Sequence, residues 1–264
     1  MSRINQSMRS SLVGPLVSRL RSGLTVQDLN ALIKSLFSSG EQGALYVPKP
    51  TVNGTQALFQ DAAGTVAVTA DGDPVGKMLD QSGNANHAIR TVSGSRPVYK
   101  TDGTLHWLEF DGVDTQMSNY DFSRANPDSF FFALEWVSSI GSTKPFDGDS
   151  NNDASIFTYS DGKIRAYSSS EGVTAPSGSI SIGTPYVGTA IFNLTNSEIR
   201  INKASTTGTT GGLSTNGITM GAKVLGGEAF AGKLFSAISL GRLATTAEIE
   251  SAEQYLASLS GVTL

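Results

Sequence analysis

LFQDAAGTVAVTADGDPVGKMLDQSGNANHAI (residues 58–89) and, shortly after it, RPVYKTDGTLHWLEFDGVDTQMS (residues 96–118) decide the fold. Short apolar runs alternate there with turns rich in Gly, Asn and Asp. Runs of that length bounded by such residues read as strands, not helices. The same pattern continues outward. Upstream, ALYVP (44–48) is a first strand stopped by Pro48 and Pro50. Downstream lie SFFFALEWVSSI (129–140), ASIFTYS (154–160), KIRAYSS (163–169), YVGTAIFNLT (186–195), SEIRINK (197–203), GITMGA (217–222) and FAGKLFSAISLGR (230–242). Asp161–Gly162 has the chemistry of a two-residue hairpin turn. Such a series predicts an antiparallel sandwich or barrel, not βαβ units.

Both ends read as helical. Leu12, Leu16 and Leu20 recur at four-residue spacing, although Gly14–Pro15 weakens the first turn. Thr25 then caps a second helix, in which Val26, Leu29, Leu32, Ile33, Leu36 and Phe37 share one face until Ser38–Ser39–Gly40 ends it. That stripe must be buried, on the chain's own β body or in an assembly. Two helices ahead of a β domain favour the assembly. At the other end, Thr245 or Thr246 caps a helix reinforced by Glu248. Ile249, Ala252, Tyr255, Leu256 and Leu259 form its buried face, and Gly261 stops it.

The bulk numbers exclude several classes. The 264 residues contain no cysteine, so there is neither a disulfide framework nor a thiolate metal site. His87 and His106 are the only histidines. No stretch approaches the ~20 apolar residues of a membrane span, and the LVGPLV run is too short for an export signal. Arg3, Arg9, Arg19, Arg21 and Lys34 stand against Asp28 alone in residues 1–40. This net +4 leaves −8 on the remainder of a chain whose formal charge is −4. A basic arm on an acidic body suggests docking onto a partner. Its charges are too few and too free of aromatics to favour nucleic acid.

DQSGNANHA (80–88), LEFDGVD (108–114) and FAGKLFSAISLGRLATTAEIESAEQYL (230–256) together resemble the concanavalin A-like, or laminin-G-like, jelly rolls of bacteriophage tail and fibre proteins. The resemblance brackets residues 43–264. It implies a mainly β protein, a concanavalin A-like antiparallel β-sandwich (43–264) closed by the C-terminal helix; the basic helical stretch ahead of it (1–42), which the resemblance does not cover, reads from its charge and apolar stripes as an attachment region. It also implies a virion protein of the tail, fibre or capsid surface, made in the host cytoplasm. Such a protein would be a homo-oligomer, trimeric in a fibre. It would dock on other virion proteins through Arg3, Arg9, Leu12, Leu16, Arg19, Leu20, Leu29, Leu32, Ile33 and Leu36. The sandwich would display a lectin-like surface to host glycans. This reading expects no enzyme and no cofactor. A purely architectural adaptor is one alternative. An endoglycanase is another.

Candidate sites follow from residue chemistry. Glu109 and Asp111 project to one face of a strand, as the two carboxylates of a retaining glycosidase would. Trp107, Tyr159 and Tyr167 offer ring faces to a sugar. Asp147, Asp149 and Asp153 form an oxygen-rich stretch suited to calcium, and Asp80, Asn84 and Asn86 form another. For the second, an Asx turn explains the residues as well. No phosphate loop, dinucleotide fingerprint or metalloprotease helix is present.

Overall fold

The computed structural model describes residues 26–124, 126–138, 141–150, 154–212 and 215–264. Arg3, Arg9, Leu12, Leu16, Arg19 and Leu20 lie outside them. Along the described chain run α1 (Val26–Phe37), β1 (Gly43–Tyr46), β2 (Thr51–Val52), β3 (Thr55–Gln56), β4 (Leu58–Phe59), β5 (Lys77–Met78), β6 (Ala88–Ile89), β7 (Val98–Thr101), β8 (His106–Asp111), β9 (Met117–Arg124), β10 (Asp128–Trp136), β11 (Thr143–Asp147), β12 (Ser155–Thr158), β13 (Ile164–Ser168), β14 (Glu171–Thr174), β15 (Pro185–Phe192), β16 (Ser197–Ile201), β17 (Ala204–Gly208), β18 (Thr215–Met220), β19 (Ala231–Leu240) and α2 (Thr246–Ser260). The protein is mainly β, its strand pairs are antiparallel, and a helix closes the chain.

Two sheets carry the architecture. The first runs β17-β16-β15-β10-β19-β8-β7, with β1 also paired to β19. The second runs β14-β13-β12-β11-β18-β9-β6-β5-β4. Their facing sides share one core that includes Leu108, Phe110, Phe132, Trp136, Phe146, Ile156, Ile164 and Met220. Alternation along each strand sends every second residue there, as period-two patterning requires.

A second core lies on the outer face of the first sheet. Phe131, Ala133, Val187, Phe235 and Ile238 meet Leu29, Leu32, Leu36 and Phe37 of α1, and Ala252, Tyr255 and Leu256 of α2. This corrects the assembly reading of α1. Leu29, Leu32 and Leu36 are buried in the chain's own core, and Ile33 packs partly buried against it, so this stripe is not a free face for another chain. Leu29, Leu32, Leu36 and Phe37 of the stripe find their partner in the chain itself. The helices cover much of the first sheet's outer face, although Trp107, Glu109 and Lys233 stay half-buried on it; the outer face of the second sheet lies away from the helix layer.

Arg242 ties the layers together. Its guanidinium donates to both carboxylate oxygens of Glu248 at 2.8 and 2.9 Å, to Glu41 at 3.3 Å, and to the last-turn carbonyls of Ser35 and Leu36 at 3.3 and 3.2 Å. Glu248 also completes a capping box with Thr245, and Gly261 ends α2 in the left-handed region at φ 74°. The hydrogen bond from Arg242 leads the causes that lower the Glu248 carboxyl from 4.5 to about 2. The folded chain therefore binds this proton more weakly than the unfolded one. Its contribution is complete above pH 4.5 and is lost as pH falls towards 2. Glu248→Gln is expected to flatten the melting temperature against pH in that window. An unchanged acid limb would contradict the assignment.

Candidate functional site

On the outer face of the second sheet, β12 and β13 form a hairpin. Ile156, Ile164 and Ala166 point into the core between the sheets, so Phe157, Arg165 and Tyr167 point outward. The Asp161–Gly162 turn closes the hairpin with the Gly162 amide donating to the Tyr159 carbonyl at 2.9 Å, and Gly162 sits at φ 68°. The turn fixes Tyr159 beside Phe157. Phe157 meets the Tyr159 ring edge-on at 4.7 Å and the Tyr167 ring at 5.3 Å. The Arg165 guanidinium lies 5.0 Å from the Tyr159 ring centre. Its fork grips Asp161, which holds that carboxyl well below the usual carboxylate range. Tyr159 is 48% exposed, a large open ring on a braced support.

The opposite wall comes from Lys144 on β11 and from Lys223 and Glu228 in the connection between β18 and β19. With the three aromatics they line a cleft of about 100 Å³. The connection is tied to the sheet. The Lys144 amide donates to the Glu228 carbonyl at 2.7 Å, and the Val224 amide donates to Asp147 Oδ2 at 3.1 Å. The Lys144 ammonium sits 3.6 Å from Asp147 and 3.9 Å from Glu228. Ser142 donates to Glu228 at 2.9 Å. Exposed aromatic rings beside fixed polar groups are what an oligosaccharide needs, apolar faces against aromatics and hydroxyls against charges.

The sequence-based candidates separate in space. Tyr159 and Tyr167 come together in this cleft. Trp107 lies on the other sheet, its ring covered by the Lys233 ammonium at 4.9 Å and tilted against Phe235 at 6.1 Å. Its indole N–H points to Glu109 at 3.4 Å. Asp111 is a turn cap. One of its oxygens accepts from the amides of Val113, Asp114 and Thr115 and from the Thr115 hydroxyl. Burial pushes its carboxyl up, but those hydrogen bonds outweigh it and leave the group below its ordinary value. A carboxylate so engaged is poorly placed to attack a sugar. Glu109 instead faces Lys233 across β8 and β19, and Lys233 pairs with Glu135 on β10 at 2.8 Å.

The calcium reading of Asp147, Asp149 and Asp153 needs correction. Asp147 ends β11 and is only 2% exposed; its Oδ2 accepts from the Val224 amide, and its Oδ1, without a hydrogen bond, lies 3.6 Å from the Lys144 ammonium. Burial pushes its carboxyl up, against the ionised form a cation needs. The Asp149 amide is bonded to the Asn216 carbonyl, and Asp153 lies outside the described residues. Among the described residues no three metal-ligating side chains gather at one point.

A larger cleft, about 790 Å³, lies between α1, α2 and β16, with Leu32, Arg200, Lys203, Glu250 and Gln254 in its walls. Its aromatic lining residue, Tyr255, is only 5% exposed, and its arginine is engaged with Glu253. The aromatic cleft therefore remains the better candidate.

No family model matches the chain, and no curated protein matches it. Solved structures do. A GH54 α-L-arabinofuranosidase soaked with a cyclic sulfate inhibitor aligns at TM-score 0.63 and 11% identity, over 90% of this chain and 66% of that one. Domain 4 of AbnA, a GH43 extracellular arabinanase from Geobacillus stearothermophilus, in complex with arabinotriose, aligns at 0.52 and 12%, over 83% of this chain and 98% of the domain. A Trypanosoma rangeli sialidase in complex with sialic acid aligns at 0.51 and 11%, over 95% and 40%. The chain thus spans just under two thirds of the arabinofuranosidase and less of the sialidase. At these identities the likeness is one of fold. It nevertheless overturns the expectation that the chain is not an enzyme. The fold's neighbours include glycosidases, so the lack of a familiar catalytic motif is no argument against that chemistry. None of the three is a phage or virion protein. What the comparisons place is a β-sandwich fold shared with glycan-acting proteins.

Proposed function

We propose that the protein is a carbohydrate-binding β-sandwich, concanavalin A-like in architecture, that holds an oligosaccharide across Tyr159 and Tyr167, with the buried Phe157 as their support. The observation that carries the reading is the cleft itself, with two half-open tyrosines braced on one buried phenylalanine opposite fixed charged groups. The match over 98% of an arabinanase domain in complex with arabinotriose supports it and names the first ligand to try. Calorimetric titration with arabinose, xylose and acidic oligosaccharides is the test. Replacing Tyr159 or Tyr167 by Ala is expected to weaken binding about 3- to 10-fold each, the value of one aromatic contact. If no oligosaccharide binds the folded wild type, or if the double variant binds as well, the reading fails.

A second reading, hydrolysis, rests on a different observation. Glu109 and Glu135 both stand opposite Lys233, so the two carboxylates share a face from strands flanking β19. Two strand spacings put their backbones about 10 Å apart. Glycosidase acid pairs span about 5 to 9.5 Å between carboxyl groups. Reducing-sugar release that disappears in both Glu109→Gln and Glu135→Gln would support this reading. Release that survives both would exclude these residues as the acid pair.

A further inference from the structure

The charges around the aromatic cleft point to the class of sugar it takes. Lys144 is 6% exposed and shared between Asp147 and Glu228. Glu228 is answered by Lys144 and by the Ser142 hydroxyl. Arg165 is engaged by Asp161. Among the described residues, Lys223 is therefore the charged side chain of the lining left without an opposite charge.

Its backbone is held on both sides. The Lys223 amide donates to the Gly227 carbonyl at 3.1 Å, and its carbonyl accepts from the Gly226 amide at 2.8 Å. The next amide, of Val224, is fastened to the buried Asp147. A lysine rooted in so tight a turn loses less freedom on binding than one on a mobile loop. We propose that Lys223 makes the cleft selective for an acidic glycan, one whose sugar carries a carboxylate or sulfate. The ring's apolar face would lie on Tyr159 or Tyr167, and its anionic group would meet the Lys223 ammonium. A charge-assisted hydrogen bond there is stronger than the neutral one a hydroxyl would make. Asp147 acts as a positioning residue because it holds the turn that carries Lys223.

This inference rests on the carbohydrate-binding reading, and one experiment separates their failures. The full chain is applied to an array of uronate oligosaccharides, their methyl esters, and neutral arabinan and xylan oligomers, at low and high salt. The expected result is binding about tenfold tighter to the free uronates than to their esters, weakened by salt. In Lys223→Gln that preference should vanish while ester binding persists, and Lys223→Arg should restore most of it. Equal binding of acids and esters by the wild type, or a preference that survives Lys223→Gln, overturns the acidic-glycan assignment and leaves the cleft a neutral-sugar site. Binding to nothing on the array overturns both this inference and the reading beneath it.

Discussion

Asp80→Ala is expected to lower the unfolding free energy by about 4 kcal/mol, since several buried donors would lose their acceptor at once. Asp80 Oδ1 accepts from the amides of Leu45 and Ser82 at 2.8 Å each, and Oδ2 accepts from the Ser82 hydroxyl at 2.7 Å and the Asn86 amide at 3.1 Å. The turn so formed reaches across to β1. Asn86 donates to the Gly43 carbonyl at 2.7 Å, Asn84 donates to the carbonyls of Glu41 and Gly43, and Tyr46 donates to the Asn86 carbonyl at 2.6 Å. Gly43 is where β1 meets β19. It sits at φ 140°, and an added Cβ would lie 1.9 Å from the Ser239 carbonyl oxygen. The Asp80 turn therefore sets how the first strand enters the sheet. Urea denaturation would read the loss directly. Asp80→Asn should lose less, because it keeps one acceptor. The same geometry decides against calcium here, since both Asp80 oxygens already serve protein donors. Calcium or chelator should leave the wild-type melting temperature unchanged, and a clear rise with calcium would refute this account.

How far the sequence discloses the molecule depends on how local each feature is. The helix spanning Val26–Phe37 and the capped helix from Thr246 follow from periodicity and capping residues that are neighbours in the chain. So do the DQSGNAN turn and the Asp161–Gly162 hairpin. What covers the α1 stripe is a long-range fact, because α1 packs against α2, more than two hundred residues away. The cleft is half legible for the same reason. Alternation through SIFTYSDGKIRAYS places Phe157 and Tyr159 on the outward side with Arg165 and Tyr167, given the turn between them. No local pattern brings Lys223 and Glu228 over them. Those walls depend on the pairing of β11 with β18 and on the buried Asp147. Asp147 misleads a sequence reader in a specific way. Its neighbours Asp149 and Asn151 suggest a solvated calcium loop, while its strand position buries it against Lys144. Glu109 and Asp111 mislead similarly. Spacing puts both on one face, but Gly112, at φ 75°, turns the chain and commits Asp111 to its own loop.

Glu253→Ala is expected to cost about 3 kcal/mol, near the lower end of what breaking a buried ion pair costs, because its partner Arg200 is left partly solvated. Glu253 lies in the middle of the buried face of α2 and is only 1% exposed. It accepts from Arg200 Nε at 2.8 Å and Nη2 at 3.2 Å, and from the Thr189 hydroxyl at 2.9 Å. These contacts seat α2 on β15 and β16 in one register, where Ala252 and Leu256 reach the second core. Removing the carboxylate leaves a hydroxyl and an arginine, the latter still 3.5 Å from Glu198, facing an apolar helix. Replacing both partners, as in Glu253→Leu with Arg200→Met, should recover most of the loss, since a well-packed apolar pair needs no desolvated charges. If the double variant is no more stable than Glu253→Ala, the pair does more than satisfy its own charges. α2 lies on the first sheet and the aromatic cleft on the second. Glu253→Ala should therefore bind oligosaccharide like wild type well below its melting temperature, whereas a matching loss of binding would mean that the helix layer shapes the sugar site.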